Sequence, residues 1–545
     1  MPEKFDVIVL GSGAAGMAAA VSAATRGLRV AVLEKSSQLG GTSAWSGGHV
    51  WIPANPAARA AGVEDSIEEG VEYLRSLSRG RMRDDVMRAW VEAGPEMVEY
   101  FDRTAGTDFM LSEGIPDYHA EFPGGKVGGG RTLECPLFAF DDLGEWGQQI
   151  RISPYYQTPQ LVMNETPTGS AVPKVVTPEE LASRRAHGDQ RGLGQSLIGR
   201  LVKSALRDGV EFRTQHRGRR LVIDGGRVTG VLVETPDGEQ VYEAARGVVI
   251  ATGGFEHNEE YRREFLRGPL THPISVPENM GDGLTMVMEV GVKLGMMSEA
   301  FWTTVADVPA EVSAEGKMML SADRARPRAI MINKHGMRFA NESTNYNAFG
   351  GAFHQEDTER FEYRNLPCWL IFDQEYLETY GTVRHAPGAE PPDWLPRYAS
   401  VAALAEGLGV PLEALQSTLD RWNDDVDAGR DREFHRGEFA HDLWWGDPQQ
   451  KGSVYGSIGR VDTPPYYAIS VHPGAMGTKG GPLTDVHAQV IGLDGAPVPG
   501  LYAAGNASAA VFGMTYGGAG GTLGPALVGG YLAGKHLAAD ERDRT

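Results

Sequence analysis

Short unbroken apolar runs, each closed by glycine or an acid, punctuate the chain. "DVIVL" (6–10) stops at Gly11, "RVAVLE" (29–34) at Glu34, "GVVIAT" (247–252) at Gly253 and "GLYAA" (500–504) at Gly505. Runs of this length without polar alternation predict strands buried on both faces, as in a parallel sheet covered by helices. Between the first two, "AAGMAAAVSAATRG" (14–27) is alanine-rich and predicts a helix ending at Gly27. Residues 218–245 alternate instead, with "DGG" and "PDG" turns, and predict a β-meander. Near the other end, "GMTYGGAGGTLGPALVGG" (513–530) sets Tyr516 in a run of glycines and then enters a helix at Pro525, a favoured first-turn residue. Residues 144–190, rich in Pro and Thr with weak periodicity, predict a long excursion instead of core.

These elements make an α/β protein with a Rossmann-like half. A chain of 545 residues exceeds what one core serves, so more than one domain is expected. The net charge of −21, with no basic run, excludes a nucleic-acid footprint. Two cysteines, Cys135 and Cys368, supply neither a disulfide framework nor metal-ligand spacing, so no metal is expected and a reducing compartment fits. No apolar run has the length of a membrane span, and the first residues lack the basic region of a signal peptide. The expectation is a cytoplasmic protein with no transmembrane segment, leaving room for peripheral membrane contact.

Gly11, Gly13 and Gly16 form G-x-G-x-x-G between a strand and a helix that opens at Ala14 and Ala15. The first glycine permits the turn, the second lets backbone approach a pyrophosphate, and the third lets the helix pack on the strand. Glu34, followed by Lys35, lies where an acid accepts hydrogen bonds from a ribose. "LGGTSAWSGGHVWIP" (39–53) adds Gly41, Thr42, Ser43, Ser46, Gly47 and Gly48, small or hydroxylated residues that suit a large flat ligand. Further strand ends bring Ala251, Thr252 and Gly253, then Gly505 and Asn506. Several strand ends meeting one extended ligand point to FAD held along its length.

The set "GSGAAG", "GGTSAWSGG", "ATGGF", "GDG" (281–283) and "LYAAGN" resembles the FAD-dependent fumarate reductase/succinate dehydrogenase flavoproteins. That resemblance implies non-covalent FAD, with Asp282 and Leu523 joining the cofactor site. It also implies a Rossmann-like flavin domain built from both chain ends, 1–305 and 475–545, with an inserted α+β cap over 306–474. Within the superfamily, "GIPDYHAEFPGGKVGGGR" (114–131), "HGMRFANESTNYNAFGGAF" (335–353), "PGAMGTKGGPLTD" (473–485) and "TYGGAGGTLGPA" (515–526) closely resemble the 3-ketosteroid Δ1-dehydrogenases. In that family the positions matching Tyr118, Tyr346, Tyr516 and Gly520 are the catalytic set. "DLWWGDP" (442–448) and "PPYYAI" (464–469) extend the match.

The resemblance implies removal of vicinal hydrogens beside a ring ketone. Tyr516 O–H and Gly520 N–H hold the ketone oxygen, Tyr346 as tyrosinate takes the α-proton, Tyr118 supports it, and flavin N5 takes the β-hydride. The substrate is then a small hydrophobic ketone, and an external quinone or carrier takes the electrons. Alternatives are the same desaturation of a cyclohexanone-type ketone, a 3-oxosteroid 4-dehydrogenase, or a flavin electron carrier without ketone turnover. The dicarboxylate-reducing branch is set aside: Thr515-Tyr516 stands where those enzymes carry Asn-Arg, His472 falls out of step, and "GGTSAWSGG" lacks a covalent flavin histidine. Arg338, without a second arginine, reads as structural. His119 reads as a surface residue, Lys479 receives no role, and Phe301 and Trp302 line either the cleft or the core.

Overall fold

The computed structural model describes residues 3–166, 169–170 and 174–539; residues 167, 168 and 171–173 of the 144–190 excursion lie outside the described residues. Along the chain run strands β1 (Glu3–Leu10), β2 (Val30–Glu34), β3 (Glu211–Thr214), β4 (Arg217–Asp224), β5 (Arg227–Thr235), β6 (Gly238–Ile250), β7 (His272–Pro273), β8 (Ala300–Asp307), β9 (Ala329–Asn333), β10 (Cys368–Asp373), β11 (Tyr466–Thr478) and β12 (Pro497–Ala503). Three helices position the site: α1 (Ala14–Ala24), α2 (Tyr346–Gly350) and α3 (Leu523–Ala538).

An eight-stranded sheet has β12, β6, β1, β2 and β3 side by side and parallel, so strands about 250 residues apart in the chain are neighbours. The expected meander is β4–β5–β6, antiparallel, with the last strand continuing into the parallel layer. Every residue of α1 is buried. The small residues explain how: a Cβ on Gly530 would sit 2.2 Å from the Ala15 carbonyl oxygen, and one on Gly534 2.5 Å from that of Ala19. Helices α1 and α3 therefore cross at backbone contact over the parallel strands.

A seven-stranded sheet takes all its strands from residues 272–478, including β8, β9, β10 and the long β11. Strand β7, still in the segment that follows the "ATGGF" turn, pairs with β11 and ties this sheet to the first. No helix among the described residues is long and apolar enough to cross a membrane. Both cysteines are buried and unpaired, and burial pushes their thiols up.

Candidate active site

One cleft, with about 2450 Å³ of atom-free space partly open to solvent, runs from the ends of β1, β6 and β12 to a cluster of tyrosines. Tyr118, Tyr346 and Tyr516 are buried together with Phe301. The Tyr118 hydroxyl donates to the Tyr346 hydroxyl at 2.7 Å. The Tyr516 ring lies 5.2 Å from that of Tyr118 and 5.7 Å from that of Tyr346, centroid to centroid. Its hydroxyl meets Thr522 Oγ1 at 2.7 Å. Gly520 lines the same cleft, and its N–H donates to no other group among the described residues.

The glycine run exists because an indole fills it. A Cβ on Gly518 would lie 2.5 Å from the Trp51 ring, one on Gly517 3.2 Å, and one on Gly524 2.3 Å from the Trp51 carbonyl oxygen. Gly520 combines φ +97° with backbone of His49 and Trp51 where its Cβ would be, so no other residue fits there. Trp51 Nε1 donates to Asp117 at 2.7 Å, and Asp117 also accepts from the buried Arg131 at 2.8 Å. That network sets the loop whose Tyr118 N–H donates to the Gly517 carbonyl at 3.0 Å. Tyr346 opens helix α2, whose N-cap Asn345 accepts from the Ala348 N–H at 2.9 Å and donates to the Tyr118 carbonyl at 3.3 Å. Lys479, buried, donates to the Thr515 carbonyl at 2.6 Å; burial pulls its pKa down to about 7.

Burial lifts the pKa of all three tyrosines above the ordinary phenol range. For Tyr346 the neighbouring Tyr118 adds to the rise. The buried Arg324 guanidinium opposes it at Tyr118. Arg324 stands 5.1 Å over the Phe349 ring, on the helix that carries Tyr346, and burial lowers its own pKa to about 10. His441, edge-on to Tyr118 at 4.9 Å, is held neutral by burial, its pKa near 3. Burial thus favours the protonated phenols and makes the expected tyrosinate the minority form of Tyr346.

At the other end, Gly11, Gly13, Ala14 and Ala15 line the cleft at the start of α1, while Leu523 and Ala526 line it at the start of α3. Both helices thus turn their positive ends towards the space, as an anionic ligand requires. Glu34, Lys35, Gly41, Thr42, Ser43, Ser46, Gly47, Gly48, Ala251, Thr252, Gly253, Asp282, Gly505 and Asn506 line it as well. Gly16 does not: its Cβ would fall 2.0 Å from the Gly11 carbonyl oxygen, so it serves helix-on-strand packing. Asp282 is bound by Lys35 and Arg217, both at 2.8 Å. Thr252 Oγ1, His49 Nε2 and Arg151 Nε are buried with no hydrogen-bond partner. All three residues face the cleft, and such orphaned atoms fit a polar ligand with phosphates and a heteroaromatic ring.

Sequence reasoning missed His49, Arg151, Asn279 and Thr522, which line the cleft; His49 and Thr522 simply adjoin Gly48 and Leu523, whereas Arg151 and Asn279 are held there by the distant Glu278 and Thr42. Tyr155, Tyr156 and Met163 line it too, so the excursion forms a wall. Phe301 packs 5.4 Å from Tyr516, whereas Trp302 is core against His354. Arg338 is structural, buried and paired with Glu342 and Asp431. His119 is not a free surface group; its Nε2 lies 3.2 Å from Asn345 Nδ2.

The family described as "FAD binding domain" matches residues 6–523. A 3-oxosteroid 1-dehydrogenase of Mycobacterium tuberculosis is 36% identical over 98% of each chain. The crystal structure of a 3-ketosteroid Δ1-dehydrogenase from Sterolibacterium denitrificans, in complex with 1,4-androstadiene-3,17-dione, superposes with a TM-score of 0.90 at 33% identity, covering 98% of this chain and 99% of that one. The chain belongs to the 3-ketosteroid Δ1-dehydrogenase family. This family of FAD-dependent oxidoreductases also reaches monocyclic ketones: a 4-oxocyclohexanecarboxylate 2-dehydrogenase of Sinomonas cyclohexanicum is 39% identical over 98% of this chain and 93% of its own. FAD is the cofactor that the cleft fits.

Proposed function

We propose that the protein desaturates a neutral 3-oxosteroid, introducing the 1,2 double bond beside the ketone, and that the unit built around the seven-stranded sheet caps the substrate. The observation that carries this reading is the character of the cleft at its tyrosine end. Lys35, Arg151 and Arg217 are the lysines and arginines lining the cleft, and each is paired with Asp282 or Glu278 near the Glu34 end. Met319 and Met476 pack on the tyrosine cluster, and Ile115, Met318, Trp444 and Trp445 also line the cleft. Such walls suit a fused apolar ring system better than a carboxylate.

Tyr516 Oη and the Gly520 N–H hold the ketone oxygen and stabilise the charge that grows on it. One such donor contributes about 3–4 kcal/mol at a transition state. With Thr522 Oγ1 donating to Tyr516 Oη, the phenolic proton is free to point at the ketone, and the chain of two hydroxyls strengthens the bond. Tyr346 Oη, as the phenolate, takes the proton from the α-carbon, and the hydrogen bond from Tyr118 fixes the position of that oxygen. Burial excludes water from the exchange. FAD, when bound, supplies the two-electron acceptor for the hydride that leaves the β-carbon. A quinone or separate carrier then receives the electrons.

Anaerobic bleaching of the flavin at 450 nm tests the reading. Androst-4-ene-3,17-dione should bleach it with a kcat/KM at least a hundredfold above that for 4-oxocyclohexanecarboxylate. Equal or reversed preference would favour the monocyclic reading, which the 39% identical relative supports.

A further inference from the structure

The seven-stranded sheet carries a second cluster of chemistry, outside the cleft lining. His272 lies on β7, Asp307 on β8 and His472 on β11. His272 is opposite Gly474, and Val305 is opposite His472. Residues opposite one another, and residues two apart on a strand, share a sheet face. The register therefore puts all three side chains on one face. The two imidazole rings stack 4.1 Å apart at 21°. His272 Nε2 is 3.0 Å from one oxygen of Asp307, and His472 Nε2 is 3.1 Å from the other.

Two details make this more than a surface ion pair. His472 Nε2 is a buried atom that makes no hydrogen bond, although the carboxylate is within reach, so the nitrogen is close to the oxygen but not aimed at it. His272 Nδ1 sits 2.7 Å from Thr271 Oγ1, the outer hydrogen bond that orients a metal-bound imidazole and leaves Nε2 as the ligand atom. The ligand atoms of the three residues all lie within 4.8 Å of one another, and no other group of three or more His, Cys, Asp or Glu among the described residues meets that test.

We propose that His272, Asp307 and His472 bind a divalent transition metal of the zinc class, with water completing its coordination. Two imidazoles and a carboxylate are the donor set such an ion prefers. The ligands come from three strands, which is why no spacing in the sequence announces them. Bound metal would pin β7, which leads directly to the cleft residues Ile274 and Val276, onto the sheet of the cap.

The test is calorimetric titration of chelator-treated, FAD-loaded protein with ZnCl2. One equivalent per chain should bind, with a rise of several degrees in melting temperature. His472→Ala and Asp307→Asn should each weaken binding at least tenfold. X-ray absorption at the zinc edge of the wild-type complex should show two imidazoles at about 2.0–2.1 Å, and it decides alone if a variant fails to fold. Absence of stoichiometric binding, binding untouched by both substitutions, or an edge spectrum without imidazole would overturn the proposal.

Discussion

As the proposed base, Tyr346 sets the pH dependence of the reaction. Its pKa lies well above 10, raised first by burial and then by Tyr118. Only the deprotonated form accepts a proton, so the competent fraction grows about tenfold per pH unit below the pKa. Log kcat/KM should therefore climb through neutrality into the alkaline range, with a slope approaching one; a flat profile between pH 7 and pH 10 would exclude a tyrosine base. Replacing Tyr346 by Phe should cut kcat by about 10²–10⁴-fold. Tyr516→Phe should cost about 10²–10³-fold and Thr522→Val clearly less, because valine removes only the support behind the donor. The four proposed catalytic positions could be named in advance because they sit in motifs that the family resemblance covers. Thr522 and Arg324 could not, since no motif says which hydroxyl or cation a buried phenol will meet.

At the level of the element, the glycine run and Trp51 form one unit. Alanine at Gly518 would place a methyl 2.5 Å from the indole, and the ring has Trp90 stacked 6.1 Å away and cannot retreat cheaply. Gly518→Ala should lower the melting temperature by several degrees and reduce turnover more than tenfold while FAD stays bound, read by calorimetry and the flavin spectrum. The helix after this run was expected to begin at Pro525 but begins at Leu523. Thr522 is its N-cap yet makes no capping bond, since its backbone is helical (φ −101°, ψ −50°) and not extended as a capping side chain requires. The buried strands and the meander were legible because their periodicity is local.

Across the whole molecule, a net charge of −21 repels anions, and no lysine or arginine among the described residues lines the tyrosine end of the cleft. Turnover of a neutral steroid ketone should accordingly change by less than about twofold between low and high NaCl, because no long-range attraction is there to screen. A steep fall with salt would show that charge guides the substrate. The pairing of β7 with β11 could not be read in advance, since it rests on two residues, His272 and Pro273, with no strand signature of their own.

The order of the parallel strands has a bearing on how the protein is made. Strand β12 and helix α3 complete the cofactor cleft, and they are the last of its walls to leave the ribosome. A nascent chain arrested before residue 497 has the glycine fingerprint but an unfinished pocket, so it should not retain flavin. Loading must wait until α3 has emerged, and products truncated before residue 497 should be colourless.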